Sequence, residues 1–320
     1  MTKRLSKNNF GVSLRMALTP GPSPKTGEGS NTWTAAKLII GCGYLGRRVA
    51  GHWLDAGNNV VALTRSAAKA EDLKGQGIRP LVADITQPAT LHSLPEAKTV
   101  LFAVGYDAAC GRPRKDFYVE GLQAVLQSLS PKTNRFILIS STAVYGQTDG
   151  QWVDEDSPCQ PKTEGGAAFL EAENALAASQ FGRRSVILRL AGLYGPGRLS
   201  RRIKDLQKGK QLLGASERFL NLIHVEDAAA VVVAAEIHAR PPRTYIVADG
   251  RPLKYRDYLT YLAMLVGRPN HQDGESSSCL SNQPSRMTNK RLSNARMLTE
   301  LGVQLKYPTY EKGLKAIFLL

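Results

Sequence analysis

The 320-residue sequence predicts an α/β fold: a doubly wound parallel sheet, a small C-terminal lobe and a disordered N-terminal tail. Three observations carry this. Short apolar runs alternate with amphipathic segments from residue 35 onward, the pattern of a parallel sheet covered on both faces. A glycine cluster at G-x-G-x-x-G spacing follows the first run and opens the first helix. The first 34 residues lack periodicity and are rich in Pro and Gly between Leu18 and Gly29, which keeps a segment from burying a core.

The elements follow in order. Leu38-Ile-Ile40 reads as a buried strand, and Arg47 to Ala56 as a helix with Val49, Ala50, Trp53 and Leu54 inward and Gly57 as its stop. Val60–Leu63 is a second strand, Ala67–Gly75 a helix, Pro80–Asp84 a third strand and Thr99–Val104 a fourth. Val119–Leu129 is helical, Arg135–Ser140 a fifth strand, Ala167–Ala178 helical and Ser185–Leu190 a sixth strand. Ile203–Lys208 is a short helix, Val225–His238 a long apolar one, and Arg243–Val247 a late strand. Right-handed crossovers between such strands give the doubly wound Rossmann arrangement. The expected division is a tail at 1–34, a dinucleotide-binding domain at 35–190 and 219–250, and a substrate lobe at 191–218 and 251–314. A Ser-rich mobile loop is expected from Asp273 to Arg286.

Composition excludes some classes. No run of about 18 apolar residues exists, so no membrane partner is expected. The net charge is +15, of which the tail supplies +4 and the remainder +11. It is scattered, without a basic helix or nucleic-acid motif, so no specific nucleic-acid partner is expected. Attraction of anionic small molecules is the expected consequence. Cys42, Cys110, Cys159 and Cys279 have no zinc spacing, and no metal site is expected. With no signal peptide visible, a reducing cytoplasm is the expected location. The tail resembles the translation of a dispersed intergenic repeat, which would put the start of the folded chain near Trp33; a basic transit peptide is the rival reading. Cys42 at a helix N-terminus invites a lowered thiol pKa and a redox role, against the plain reading of a small residue that fits the turn.

The glycines point to a dinucleotide. Gly41 makes the tight turn, Gly43 lets backbone approach a pyrophosphate and Gly46 packs the helix on the strand. Tyr44 and Leu45 complete the loop, whose N–H groups at the helix N-terminus face the phosphates. Where the second strand ends, an Asp or Glu would bind the ribose 2′-OH of NAD; this chain has Thr64-Arg65-Ser66. Arg65 can pair with a 2′-phosphate, so NADP is preferred over NAD. Asp84 falls beside the adenine or caps the next turn. Ala103 and Gly105 end the fourth strand, against the coenzyme.

Ser140-Ser-Thr-Ala-Val-Tyr-Gly146, Arg189-Leu-Ala-Gly-Leu-Tyr-Gly-Pro196 and Asn221-Leu-Ile-His-Val-Glu-Asp-Ala228 make the resemblance specific. In that order they resemble motifs of the extended short-chain dehydrogenases/reductases, the NAD-dependent epimerase/dehydratase group. The G-x-G-x-x-G spacing and the segments Asn289–Asn294 and Tyr307-Pro308 are similar to an atypical, YeeZ-like subgroup without a settled substrate. The resemblance implies NAD(P)-dependent reduction, epimerisation or dehydration of a small, sugar-like or anionic substrate. It also implies a homodimer paired through helices around 110–130 and 165–180.

The departures bear on mechanism. Aligned on the family, Gly165 stands at the catalytic tyrosine position and Phe169 at the lysine position. Neither can transfer a proton. Ser141, at the family's Ser/Thr position, can hydrogen-bond a substrate oxygen. Tyr194 and Tyr106, with Asp107, follow strands at the edge where such sheets bind ligands and are the candidate proton donors. Tyr145 is expected to pack. His224 titrates near neutrality but is expected to join the sheet to the lobe, and Asp227 to serve the helix N-terminus. Arg189, Arg198 and Lys290 can hold an anion; an ion pair is the rival for Arg189, and solvation for Arg198 and Lys290. The alternative to an enzyme is a catalytically inactive NADP-sensing or scaffold protein.

Overall fold

In the computed structural model, seven parallel strands form one sheet in the order β7-β6-β5-β4-β1-β2-β3. The structure describes residues 34–208, 217–267 and 288–319. The tail and the Ser-rich loop of the sequence reading lie outside those residues. The strands are β1 (Thr34–Ile40), β2 (Val60–Thr64), β3 (Arg79–Val82), β4 (Glu96–Phe102), β5 (Arg135–Ser141), β6 (Ser185–Leu190) and β7 (Arg243–Val247). The order reverses at β1, whose neighbours are β4 and β2. Ligands bind at such a switch point in open α/β sheets.

The helices are α1 (Gly46–Asp55), α2 (Ala67–Gly75), α3 (Gly121–Ser128), α4 (Glu164–Ala178), α5 (Ser200–Gln207), α6 (Val225–His238), α7 (Tyr255–Leu265), α8 (Ala295–Leu301) and α9 (Tyr310–Phe318). Strand alternation sorts side chains between two faces. Ile39 and Ile137 join the core with Val49, Ala50 and Trp53 of α1 and Val231 and Val232 of α6. Leu38, Ile40, Phe136 and Leu138 face the other way, onto Leu122 and Val125 of α3 and Ala172 and Leu176 of α4. With apolar residues needed on both faces, the strands read as continuous hydrophobic runs.

Several boundaries differ from expectation. β3 stops at Val82, because the Asp84 carboxylate accepts from Thr86 N and Oγ1 (each 2.9 Å) and turns the chain. A π-helical turn at Asp116–Glu120 precedes α3 where an α-helix from Val119 was expected. α4 starts at Glu164 because Thr163 caps it, its Oγ1 accepting from Gly166 N at 3.0 Å.

A third core gathers Tyr194, Leu199, Leu206, Leu222, Tyr258, Leu259, Leu262 and Leu314. Short ladders serve this part of the chain. Gly192–Tyr194 pairs in parallel with Leu222–His224, and Phe219–Leu220 antiparallel with Leu253–Lys254. Trp152–Val153 pairs with Arg291–Leu292. Helices α7, α8 and α9 had no counterpart in the sequence reading.

Candidate coenzyme and substrate site

The site begins where β1 and β4 end side by side. Gly41 sits at φ +92°, in the left-handed region, and a Cβ there would lie 2.7 Å from Ala103 O and 2.8 Å from Val104 Cα. Ala103 N in turn donates to Ile40 O at 2.8 Å. Only glycine meets both demands. A Cβ on Gly46 would lie 2.8 Å from Gly41 O, so the third glycine lets α1 start close against the strand. Gly43 differs: a Cβ there would meet no atom within 4 Å, and the same holds at Gly105.

The glycine loop therefore leaves room on both sides of a tight seam. No side chain caps α1, and its first turn holds no acidic residue. Its positive end is left for an external anion. These residues fit a diphosphate-bridged dinucleotide. Leu45 turns its side chain into the core, leaving its backbone at the loop. The Tyr44 hydroxyl donates to Pro196 O at 3.0 Å, and the guanidinium groups of Arg48 and Arg198 lie 4.4 and 4.6 Å from its ring centroid.

Arg65 stands half-exposed at the end of β2, 3.9 Å from an Asp107 carboxylate oxygen and 5.8 Å from the Phe117 ring centroid. Asp84 spends one carboxylate oxygen on its own turn, which is the capping alternative. At Cys42 burial pushes the thiol up to about 11, and Arg47 lowers it by less, which favours the plain reading of a small residue in the turn. Desolvation outweighs the helix end, so the thiolate needed for redox chemistry is disfavoured.

Ser141 ends β5 and caps the next turn, its Oγ accepting from Ala143 N at 3.1 Å. That leaves its own proton to donate. The first turn of α4 packs on this turn so closely that a Cβ on Gly166 would lie 2.3 Å from Ala143 O. Beneath it, Arg189 makes a buried bidentate pair with Glu173 (2.6 to 3.3 Å) and donates to the Tyr145 hydroxyl at 2.6 Å. Ser140 Oγ donates to Glu173 at 2.5 Å. Arg189 is thus the structural ion pair, and Tyr145, with no exposed surface, packs.

The tyrosine candidates part company. Tyr194 is 2 % exposed, and a Cβ on Gly313 would fall 2.0 Å from its hydroxyl. Its hydroxyl has no hydrogen-bond partner among the described residues, and burial raises its pKa. The short Gly192–Tyr194 strand turns this side chain into the third core, where Tyr194 packs. Tyr106 is half-buried near the seam, and its hydroxyl donates to Arg112 O at 2.9 Å.

His224 caps α6 through Nδ1, which accepts from Glu226 N at 3.3 Å. It meets Tyr194 edge-on at 5.1 Å and Tyr307 at 4.0 Å. Burial pushes its pKa down to about 4, so it is neutral near pH 7. Asp227 accepts from Lys306 N and Tyr307 N (2.7 and 2.9 Å) and ties that segment to α6. Lys290 is buried, not solvated; it donates to Tyr145 O and Thr288 Oγ1, and burial lowers its pKa to about 8.

Two residues escaped the sequence reading. Arg114 stacks on the Tyr106 ring, its guanidinium carbon 4.0 Å from the centroid. Its Cδ lies 3.4 Å from where a Cβ on Gly165 would be. Tyr118 stacks on Phe169 at 4.3 Å, so an aromatic pair fills the lysine position. Burial raises the Tyr118 pKa, and the charge of Arg114 lowers it by less. Neither residue belongs to a local motif, so no spacing announces it.

A model of the NAD dependent epimerase/dehydratase family matches residues 38–248. Protein YeeZ of Escherichia coli strain K12 is 27 % identical over 281 residues, covering 84 % of this chain and 95 % of that one. A structure described as an NAD-dependent epimerase/dehydratase from Methylobacillus flagellatus is 35 % identical, with a TM-score of 0.69 over 89 % of this chain and 98 % of that one. The Bordetella bronchiseptica enzyme WbmG, solved with NAD and UDP, shares the fold at 21 % identity, with a TM-score of 0.73 over 90 % of this chain and 94 % of that one.

Proposed function

Because the chain belongs to the NAD dependent epimerase/dehydratase family, we propose that it is an NAD(P)-dependent oxidoreductase, epimerase or dehydratase acting on a small, sugar-like or anionic substrate. NADP is its preferred coenzyme. The observation that carries this reading is the seam at Gly41: two strand ends pressed together, with open space at Gly43 and Gly105 on either side. The backbone of residues 43–46 would hold the diphosphate, and Arg65 the 2′-phosphate. The bound nicotinamide would supply hydride acceptance or delivery.

The chain's own part is to bind, orient and hold a proton. Ser141 donates its free proton to the substrate oxygen while Ala143 N fixes its Oγ. Alone it is a weak acid, so the proton passed on comes through it from water or from Tyr106. The Tyr106 hydroxyl reaches a substrate only by leaving the Arg112 carbonyl. A second reading, an inactive coenzyme sensor, is favoured by one observation: the tyrosine and lysine positions hold Gly165 and a Phe169 stacked on Tyr118.

Calorimetric titration with NADP⁺, NADPH, NAD⁺ and NADH tests the binding. Absorbance at the nicotinamide band across a panel of ketoses, keto acids and nucleotide sugars tests the chemistry. Turnover that Ser141→Ala removes supports the enzyme. Tight binding with no turnover on the panel supports the sensor, and no heat with any of the four coenzymes sinks both.

A further inference from the structure

We infer that Arg114 is the residue that holds an oxyanion group, a carboxylate or a phosphate, of the substrate over the place vacated at Gly165. The inference rests on the coenzyme reading above, since it takes this end of the sheet as the reaction site.

The segment Arg112-Pro-Arg-Lys-Asp116 carries three cations, and they are not used alike. Arg112 pairs with Asp116 at 2.8 Å. Lys115 pairs with Glu171 at 2.7 Å. Arg114 has no carboxylate within 4.0 Å among the described residues and is only half-exposed. A guanidinium that is partly desolvated and has no counter-ion draws an anion, and its planar fork matches a carboxylate or phosphate.

Its position is held from several sides. The Tyr106 ring lies 4.0 Å from the guanidinium carbon. That ring is itself fixed by its hydroxyl on Arg112 O and by an edge contact with Phe117 at 5.9 Å. Stacking of this kind leaves the N–H donors at the edge of the fork available, with the Tyr118 hydroxyl as a neutral neighbour of the guanidinium. On the other side the arginine stem runs by Gly165, its Cδ at van der Waals distance (3.4 Å) from where a Cβ there would be. Gly165 adjoins Gly166, which packs on the Ser141–Val144 turn. A substrate whose oxygen meets Ser141 therefore has Arg114 within reach of its far end.

A Cβ at position 165 would make ordinary van der Waals contact with the arginine stem at 3.4 Å. In the resemblance Gly165 aligns with a proton donor, and here a positive charge lies beside that position. Such a site selects substrates by charge: a hydroxy or keto acid, or a phosphorylated sugar, over a neutral sugar of the same size.

The test titrates inorganic phosphate and, separately, malonate into the full-length chain, alone and saturated with NADP⁺, with neutral malonamide as control. The expected result is saturable binding of both anions, none of malonamide, and at least a tenfold loss in Arg114→Met. Arg112→Met should bind like the wild type. Coenzyme affinity, measured on the same samples, should stay within twofold in Arg114→Met. Anions bound equally by wild type and Arg114→Met, or by neither, overturn the inference even where the coenzyme binds. A drop in coenzyme affinity instead assigns Arg114 to the coenzyme and also overturns it. Absence of coenzyme binding refutes the earlier reading alone, because the anion titration of the free protein still decides the role of Arg114. If Arg114→Met does not fold, Arg114→Lys carries the test: a several-fold loss of malonate binding is expected, and unchanged affinity counts against the inference.

Discussion

Glycine residues of one motif do different physical work at Gly41 and Gly43, and substitution separates them. Gly41→Ala puts a methyl group 2.7 Å from Ala103 O at a positive φ. We expect it to destabilise the fold by about 1–3 kcal/mol and to abolish coenzyme binding. Gly43→Ala meets no protein atom, so its melting temperature should match the wild type while coenzyme affinity falls at least tenfold. Equal affinity in Gly43→Ala would show that nothing binds along this loop. At the end of β2, Arg65→Ala should weaken NADP binding about tenfold and leave NAD unchanged, read by parallel titrations. The loss is charge-specific because only the 2′-phosphate distinguishes the two coenzymes at that position.

At the scale of elements, α4 is joined to β5 and β6 by one buried polar cluster. Glu173 accepts from Arg189 and Ser140, and Arg189 also donates to Tyr145. Removing one partner strands a buried charge, which costs about 3–5 kcal/mol. Glu173→Ala should lose that much in urea unfolding. Glu173→Leu with Arg189→Met should lose less, because no charge is then left alone. A double variant as unstable as Glu173→Ala would show that the pair itself contributes net stability. The Rossmann elements were legible because their signals are local. Leu38-Ile-Ile40 is a buried run, Gly57 stops the first helix, and Val225–His238 is a long apolar helix. The helices α7 to α9 were not legible. Helices α7 and α9 bury against the third core and α8 against α6 through Met297 and Leu301, and Gly313 opposite Tyr194 is a contact no periodicity reports.

Across the whole molecule, stability should depend on pH through two buried groups of opposite sign. Burial lowers the His224 pKa to about 4 from its ordinary 6.5. The unfolded chain then takes up a proton that the fold refuses, so stability is lost as pH falls from about 6.5 to 4. Burial raises the Asp249 pKa to about 7 from 3.8. Here the fold keeps a proton that the unfolded chain releases, so stability is lost as pH rises through about 4 to 7. Asp249→Asn should flatten that decline and gain on the order of 2–4 kcal/mol at pH 8, because each tenfold difference in proton affinity corresponds to about 1.4 kcal/mol. Denaturant unfolding from pH 4 to 8 checks it, and a wild-type profile that Asp249→Asn leaves unchanged refutes it. No described helix is long and apolar enough to cross a membrane.

By itself the sequence determined the strands, their alternation with helices and the glycine turn, because each depends on residues within a few positions of one another; the order of the strands in the sheet came from the tertiary structure. The resemblance to the family's motifs marked Ser141 and aligned Gly165 and Phe169 with that family's tyrosine and lysine. The tertiary structure alone decided which polar groups meet. It buried Tyr194 against Gly313, set Arg189 on Glu173 and brought Arg114 beside Gly165, some fifty residues further along the chain. Desolvation and pairing depend on neighbours distant in sequence. The charge state and the use of a side chain are therefore fixed only once the chain has folded.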